Sequence, residues 1–187
     1  MINAQNLLKL LKSVWRFSDF SNQRADKFKN VYICAKGAKF SAFASNGRRM
    51  LVASMTAHIP DTSFVLTPTD CMNIVNHFSN SQTIALHHEN LNLIMYADGL
   101  PALTLVTVDE KFSCEQMEKS LISNPESNER VVMNAEDIHL LSHALYETRL
   151  PKGVLITRGP RDHISYEAHG DGLSLHFLCV SGGINEL

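Results

Sequence analysis

The sequence predicts an α+β fold in which one supersecondary unit occurs three times. The order strand, helix, then three strands recurs with a period of about 55 to 65 residues. The helical segments are amphipathic, so each has an apolar side to bury against a sheet. The strand segments are short and separated by turn residues, which is typical of antiparallel sheets. We therefore expect antiparallel sheets with the helices on one face.

The clearest repeat spans residues 62–108. An extended run at 63–66 is followed by Pro68, which precedes a helix predicted over residues 71–80. Three strand-like segments come next, and turn residues separate them. These segments are residues 82–88, 91–96 and 102–108, with predicted turns at Glu89-Asn90 and Asp98-Gly99.

The first unit contains the most cationic helix. A short strand at residues 2 and 3 precedes a helix predicted over residues 4–19, with Asn3 as its cap. Leu7, Leu8, Leu11, Val14 and Trp15 share one side, and Lys9, Lys12 and Arg16 gather opposite them. The cationic side is either an ordinary solvated face or a surface for a polyanion. Predicted strands at 31–35, 40–44 and 51–59 follow, with a type I′ turn expected at Asn46-Gly47.

The third unit is predicted at residues 129–187. An extended run at 131–133 and a cap at Asn134 precede a helix over residues 135–147. Strands are expected at 154–157, 164–168 and 173–180. The first two units, 1–60 and 61–113, form one predicted domain, and residues 114–128 form an exposed connector.

Composition and charge limit the possible functions. The 187 residues have a formal net charge of -2, so any nucleic-acid contact must come from local charge. The four cysteines are widely spaced, which favours reduced, buried thiols in a cytoplasmic protein. We expect no signal peptide and no membrane span.

The sequence offers no catalytic constellation and no cofactor motif. It has neither a glycine-rich phosphate loop nor a GxSxG elbow. His139 and His143 have the spacing of two zinc ligands on a helix, but Leu140 stands where a zincin has its glutamate. A pair that faces solvent or DNA is therefore favoured over a metal site. His87 and His88 should point to opposite faces of a strand.

The order of the units resembles that of the DNA sliding clamps, including the bacterial DNA polymerase III beta clamp. The resemblance rests on the Leu-rich first helix with its paired strands, on residues 105–112 (LVTVDEKF) and on residues 130–180, including 150–155 (LPKGVL). It implies a non-enzymatic processivity factor whose helices line a ring around double-stranded DNA. It also implies DNA polymerase and clamp loader subunits as partners, and a pocket for partner peptides, for which residues 117–122 are a candidate by position.

The resemblance also implies the DNA-contacting residues, because basic side chains on the helices of such rings contact phosphates without reading bases. The candidates are Lys9, Lys12, Arg16, Arg24, Lys27, Arg48, Arg49, Arg149 and Lys152. Rings of this family contain twelve units, so three units per chain predict a homotetramer. The alternatives are a clamp-like adaptor or inhibitor that forms no ring, and an enzyme with a metal at His139 and His143.

Overall fold

The computed structural model describes residues 1–18, 28–121, 133, 135–150, 153–158 and 163–180; of 118–121, 154–158, 163 and 180 it describes only the backbone. The described elements are, in chain order, β1 (Ile2–Asn3), α1 (Ala4–Val14), β2 (Val31–Lys36), β3 (Lys39–Ser45), β4 (Arg49–Thr56), β5 (Thr62–Leu66), α2 (Pro68–His77), β6 (Thr83–Glu89), β7 (Asn92–Ala97), β8 (Leu100–Val106), α3 (Cys114–Leu121), α4 (Ala135–Thr148), β9 (Gly153–Arg158), β10 (His163–Gly170) and β11 (Leu173–Val180).

The strands form two antiparallel sheets, which confirms the predicted fold class. One sheet has the order β1-β6-β7-β8, and the other has the order β5-β2-β3-β4-β11-β10-β9. The first two units exchange their first strands, because β1 pairs with β6 and β5 pairs with β2. The third unit joins the first through β11, which lies beside β4. The exchange ties the first two units together, since each completes the sheet of the other.

Helix α1 lies at the centre of the hydrophobic core. Its apolar side chains Leu7, Leu11 and Val14 are buried as predicted, and they belong to one cluster with Leu51 and Phe177 of the larger sheet. The helix packs against α2 on one side and α4 on the other. The core of the three units is therefore continuous.

Two predicted helix boundaries are wrong for local reasons. Helix α1 begins after Asn3, whose side chain accepts a hydrogen bond from the Asn6 N–H, but it ends at Val14. Residues Trp15–Phe17 tighten into a 3-10 turn, and Ser18 is extended. Helix α2 begins at Pro68, because Thr67 and Asp70 form a capping box and proline is tolerated in the first turn.

The hairpin turns differ in how closely they follow the sequence prediction. The turn at Asp98-Gly99 is correct, with φ of 50° and 89°. At Asn46-Gly47 the central residues are instead Gly47, with φ of 84°, and Arg48, because Asn46 pairs with Arg49 through its backbone. Glycine at the first central position is typical of type II′ rather than type I′.

The predicted connector contains a helix, α3, that packs on the outer face of the larger sheet. Side chains alternate along β2, so Ile33 joins the main core while Tyr32 faces the other way. Tyr32 contacts Phe112 edge to face at 4.9 Å between ring centroids, and Met117 of α3 packs on the same cluster. The segment predicted as an exposed connector therefore contains a helix, and this tertiary contact stabilises it.

A disulfide between Cys34 and Cys114 contradicts the prediction that all four cysteines are reduced. The bond joins β2 to the first residue of α3. Cys71 and Cys179 are free and buried, as expected. The pairing could not be anticipated from the sequence because the two partners are 80 residues apart and meet only when α3 docks.

We predict that reduction of this disulfide destabilises the protein. A cross-link that closes a loop of 80 residues restricts the unfolded chain and typically contributes about 3 to 4 kcal/mol. Urea unfolding with and without a reductant measures the difference. A double variant, Cys34→Ser with Cys114→Ser, should be insensitive to the reductant. Four titratable thiols in protein denatured without a reductant would contradict the disulfide.

Candidate nucleic-acid interface

The surface of the helical layer contains a large groove between α1, α2 and α4. Its volume is about 1100 Å³. The groove has polar and basic lining residues from all three helices and from the residue after α4. They include Gln5, Lys9, Lys12, Asn76, Ser142, Tyr146 and Arg149.

The structure brings Lys9, Lys12, Arg16 and Arg149 together on this surface, which we call the basic helical face. Lys9, Lys12 and Arg149 line the groove, and Lys12 and Arg16 line a smaller recess of about 220 Å³ beside it. The Arg16 guanidinium lies 5.0 Å from the centroid of the Trp15 ring, a cation–π distance. Four of the predicted DNA contacts therefore share one surface.

Acidic and titratable groups modulate the charge of this face. Glu147 lies 3.9 Å from Lys12 Nζ and 3.6 Å from His143 Nε2. The pKa of His143 is lowered, first by burial and then by the charge of Arg16. Burial and Arg16 thus disfavour the charged form of His143, and the positive charge of the face comes mainly from lysine and arginine.

His87 and His88, which are adjacent on β6, lie in different environments. His87 is exposed and lies near Glu89, whereas His88 packs on the Phe64 ring and hydrogen-bonds Thr107, so the two point to opposite faces as predicted. Within the described parts of the chain, no group of three or more His, Cys, Asp or Glu side chains could hold a metal ion.

Arg49 does not belong to the basic helical face, which corrects its prediction as a DNA contact. Its side chain is only 5% exposed and forms ion pairs with Asp137 and Glu136 of α4. The Glu136 hydrogen bond raises the pKa of Arg49, and the same bond lowers the pKa of Glu136. Arg49 therefore ties α4 to the first residue of β4, while its neighbour Arg48 is exposed.

Three of the predicted contacts, Arg24, Lys27 and Lys152, lie outside the described residues. Neither the groove nor the position of Tyr146 at its rim, where the side chain is 80% exposed, was predicted from the sequence. Tyr146 lies on the polar side of the helix predicted over residues 135–147, and this position was the signal that could have identified it as a surface residue of the groove. The groove arises from the packing of α1 against α4, and no periodicity in the sequence encodes that contact.

A second cavity, of about 360 Å³, lies on the opposite side of the larger sheet. It is mostly apolar, and Met117 contributes to it from α3, within the segment considered for a partner pocket. Glu110 closes one side by accepting a hydrogen bond from the Tyr32 hydroxyl at 2.7 Å. The other lining residues include Phe28, Phe43, Met50, Lys111 and Phe112.

Comparison with known proteins yields matches in structure only. No family model and no curated protein sequence matches the chain. The fold matches a DNA polymerase sliding clamp from Pseudomonas aeruginosa with a TM-score of 0.71 and 12% identity, over 98% of this chain and 66% of the clamp. It matches the DNA polymerase III beta subunit from Thermotoga maritima with a TM-score of 0.69 and 9% identity, over 97% of this chain and 64% of that subunit.

A Helicobacter pylori beta clamp gives a TM-score of 0.71 at 10% identity, over 98% of this chain and 65% of the clamp. The chain thus spans about two thirds of the length of these proteins. None of the described helices is long and apolar enough to cross a membrane. Nearly the whole chain superposes on the clamps despite the low identity, so the similarity establishes architecture: this protein has the fold of the bacterial DNA polymerase III beta sliding clamps.

Proposed function

We propose that this protein is a sliding clamp, a processivity factor that encircles duplex DNA and tethers replication proteins to it. The observation that supports this most strongly is the basic helical face, which lies in the middle of a helical layer in a fold shared with sliding clamps. The partners are double-stranded DNA, a DNA polymerase and clamp loader subunits. In this proposal the protein is not an enzyme, and it acts in the cytoplasm.

Electrostatics supports contact with DNA that does not depend on sequence. The chain has a net charge of -2, yet Lys9, Lys12, Arg16 and Arg149 lie together on one face. Such a face attracts the phosphate backbone while the whole molecule stays soluble. Phosphate contacts position a protein on DNA and do not select bases. Arg24, Lys27, Arg48 and Lys152 remain further proposed contacts.

We propose that copies of the chain close into a ring through the edges of their sheets. Three units per chain and twelve per ring give four copies, with a mass of 4 × 20.9 = 83.6 kDa. Closure would cover sheet edges that otherwise favour aggregation. Because a closed ring is held on DNA by its topology, it should stay on circular duplex and slide off the same duplex after linearisation.

Native mass by light scattering after size exclusion tests this proposal. We expect 83.6 kDa, and we expect retention on circular but not on linearised DNA. A monomer of 20.9 kDa that binds both forms of DNA equally would contradict the ring.

The second candidate function is a clamp-like adaptor or inhibitor that binds a polymerase, a clamp or a clamp loader. The apolar cavity beside Tyr32 and Met117 supports it, because apolar clefts of this size bind hydrophobic side chains of partners. A monomeric chain that binds a polymerase without binding DNA would favour this alternative.

A further inference from the structure

Strands β4 and β8 occupy equivalent positions, since each is the last strand of its own unit. The outer edge of β4 is covered by β11, the last strand of the third unit, over an antiparallel register from Arg49↔Cys179 to Met55↔Leu173. Helices α1 and α4 lie against these two strands and pack on each other. The fold thus already contains one join between the last strands of two units, with the helices on the same face.

Strand β8 ends the four-stranded sheet, and no described strand pairs with its outer edge. Its seven residues, Leu100–Val106, include no charged side chain. Natural sheets usually protect such edges with lysine or other charges. Leu100 and Val106 are also 72% exposed each. By comparison, the edge of β5 in the larger sheet is partly covered, because Val65 O accepts a hydrogen bond from the Val108 N–H at 3.0 Å.

The backbone directions define which part of β8 can pair. Along an antiparallel strand, the backbone N–H and C=O groups of successive residues point alternately to the two sides. The Thr107 N–H donates to Leu91 O at 2.7 Å, so residues 105 and 103 also direct their N–H and C=O groups toward β7. Thr104 and Val106 then direct their N–H and C=O groups to the open edge. Pro101 has no N–H, and the ladder is irregular at Met95/Tyr96. Regular pairing is therefore expected over residues 102–106, centred on Thr104.

We propose that β8 pairs antiparallel with β8 of a second copy of this chain, around a two-fold axis at Thr104. Two four-stranded sheets would become one eight-stranded sheet, joined by about six backbone hydrogen bonds. The contact is isologous, since the same strand is used by both copies. The two α2 helices would lie on the same face, as α1 and α4 do at the β4–β11 join. This inference rests on the proposed ring, because it specifies one of its closing contacts.

A charge-swap experiment at Thr104 tests the two-fold axis. Thr104→Glu and Thr104→Lys each place like charges at the axis, and each should weaken self-association by about 100-fold. An equimolar mixture should restore the association, because glutamate then faces lysine. Neither change should unfold the chain, since the side chain is exposed and the backbone N–H points away from β7. Thr56→Glu, at an exposed position at the end of β4, is the matched control.

Each outcome of light scattering on these variants supports or overturns the inference. Recovery of the native mass in the mixture supports the pairing of β8 with itself. Single variants that keep the wild-type mass overturn it, and so do variants that stay dissociated when they are mixed. A wild-type chain that remains at 20.9 kDa also overturns it. Binding of linear duplex through the basic helical face is measured in parallel, so failure of DNA binding is seen independently of failure at β8.

Discussion

Replacing Lys9, Lys12 and Arg16 together with glutamate should abolish most of the affinity for double-stranded DNA. We expect a loss of at least about 100-fold in low salt, because three cations on the basic helical face become anions. The slope of log affinity against log salt should also fall by roughly three, one for each lost phosphate contact. Titration of a labelled duplex by fluorescence anisotropy at several salt concentrations measures both quantities.

The matched control reverses the charge of three exposed lysines that lie outside the basic helical face. Lys36 and Lys39 flank the β2–β3 turn, and Lys111 follows β8. Replacing these three with glutamate changes the net charge by the same amount but leaves the basic helical face unchanged. The loss of DNA affinity should therefore be much smaller. Equal losses in the two triple variants would show that overall charge, rather than the basic helical face, governs binding. Thermal unfolding should be nearly unchanged in both, since the half-exposed Lys12–Glu147 pair contributes little.

Removing the Asp137 carboxylate should produce a large loss of stability. Asp137 is 1% exposed and pairs with Arg49, which is 5% exposed. Asp137→Ala leaves a buried guanidinium with one fewer partner, and breaking such a pair typically costs about 3 to 5 kcal/mol. We expect the loss in the free energy of unfolding to lie at the lower end of this range, because the Arg49 guanidinium still donates a hydrogen bond to Glu136 at 2.7 Å. Urea unfolding monitored by circular dichroism measures the change.

Two further variants test the physical reason for this loss. Glu136 is 69% exposed, so Glu136→Ala should cost less than about 1 kcal/mol. Replacing both buried partners, Arg49→Met with Asp137→Leu, should recover most of the stability, because no unpaired charge remains in the core. If Asp137→Ala destabilises no more than Glu136→Ala, the buried pair does not hold α4 against the first unit.

Local patterns in the sequence were sufficient for the repeat, the fold class and most of the strands. The 3.6-residue periodicity of α1 identified most of its buried side chains, and short apolar runs bounded by turn residues located strands such as β2 and β7. These predictions succeed because the apolar side of an element is encoded in residues a few positions apart. The same periodicity also placed Lys9, Lys12 and Arg16 on one face before any tertiary contact was known.

Long-range contacts decided the rest of the candidate site. Arg48 and Arg49 are adjacent in an equally polar turn, yet one is exposed and the other is buried because Asp137 lies 88 residues away in the sequence and next to it in space. Helix α3 and its disulfide follow from docking on Tyr32 rather than from any local periodicity.

The sequence by itself therefore determined the repeated unit, the amphipathic helices and the charge of α1. Only the tertiary structure decided the exchange of β1 and β5, the groove between α1, α2 and α4, and the open edge of β8. The physical reason is that side-chain periodicity encodes which face of an element is buried, whereas the choice of partner depends on packing between distant segments.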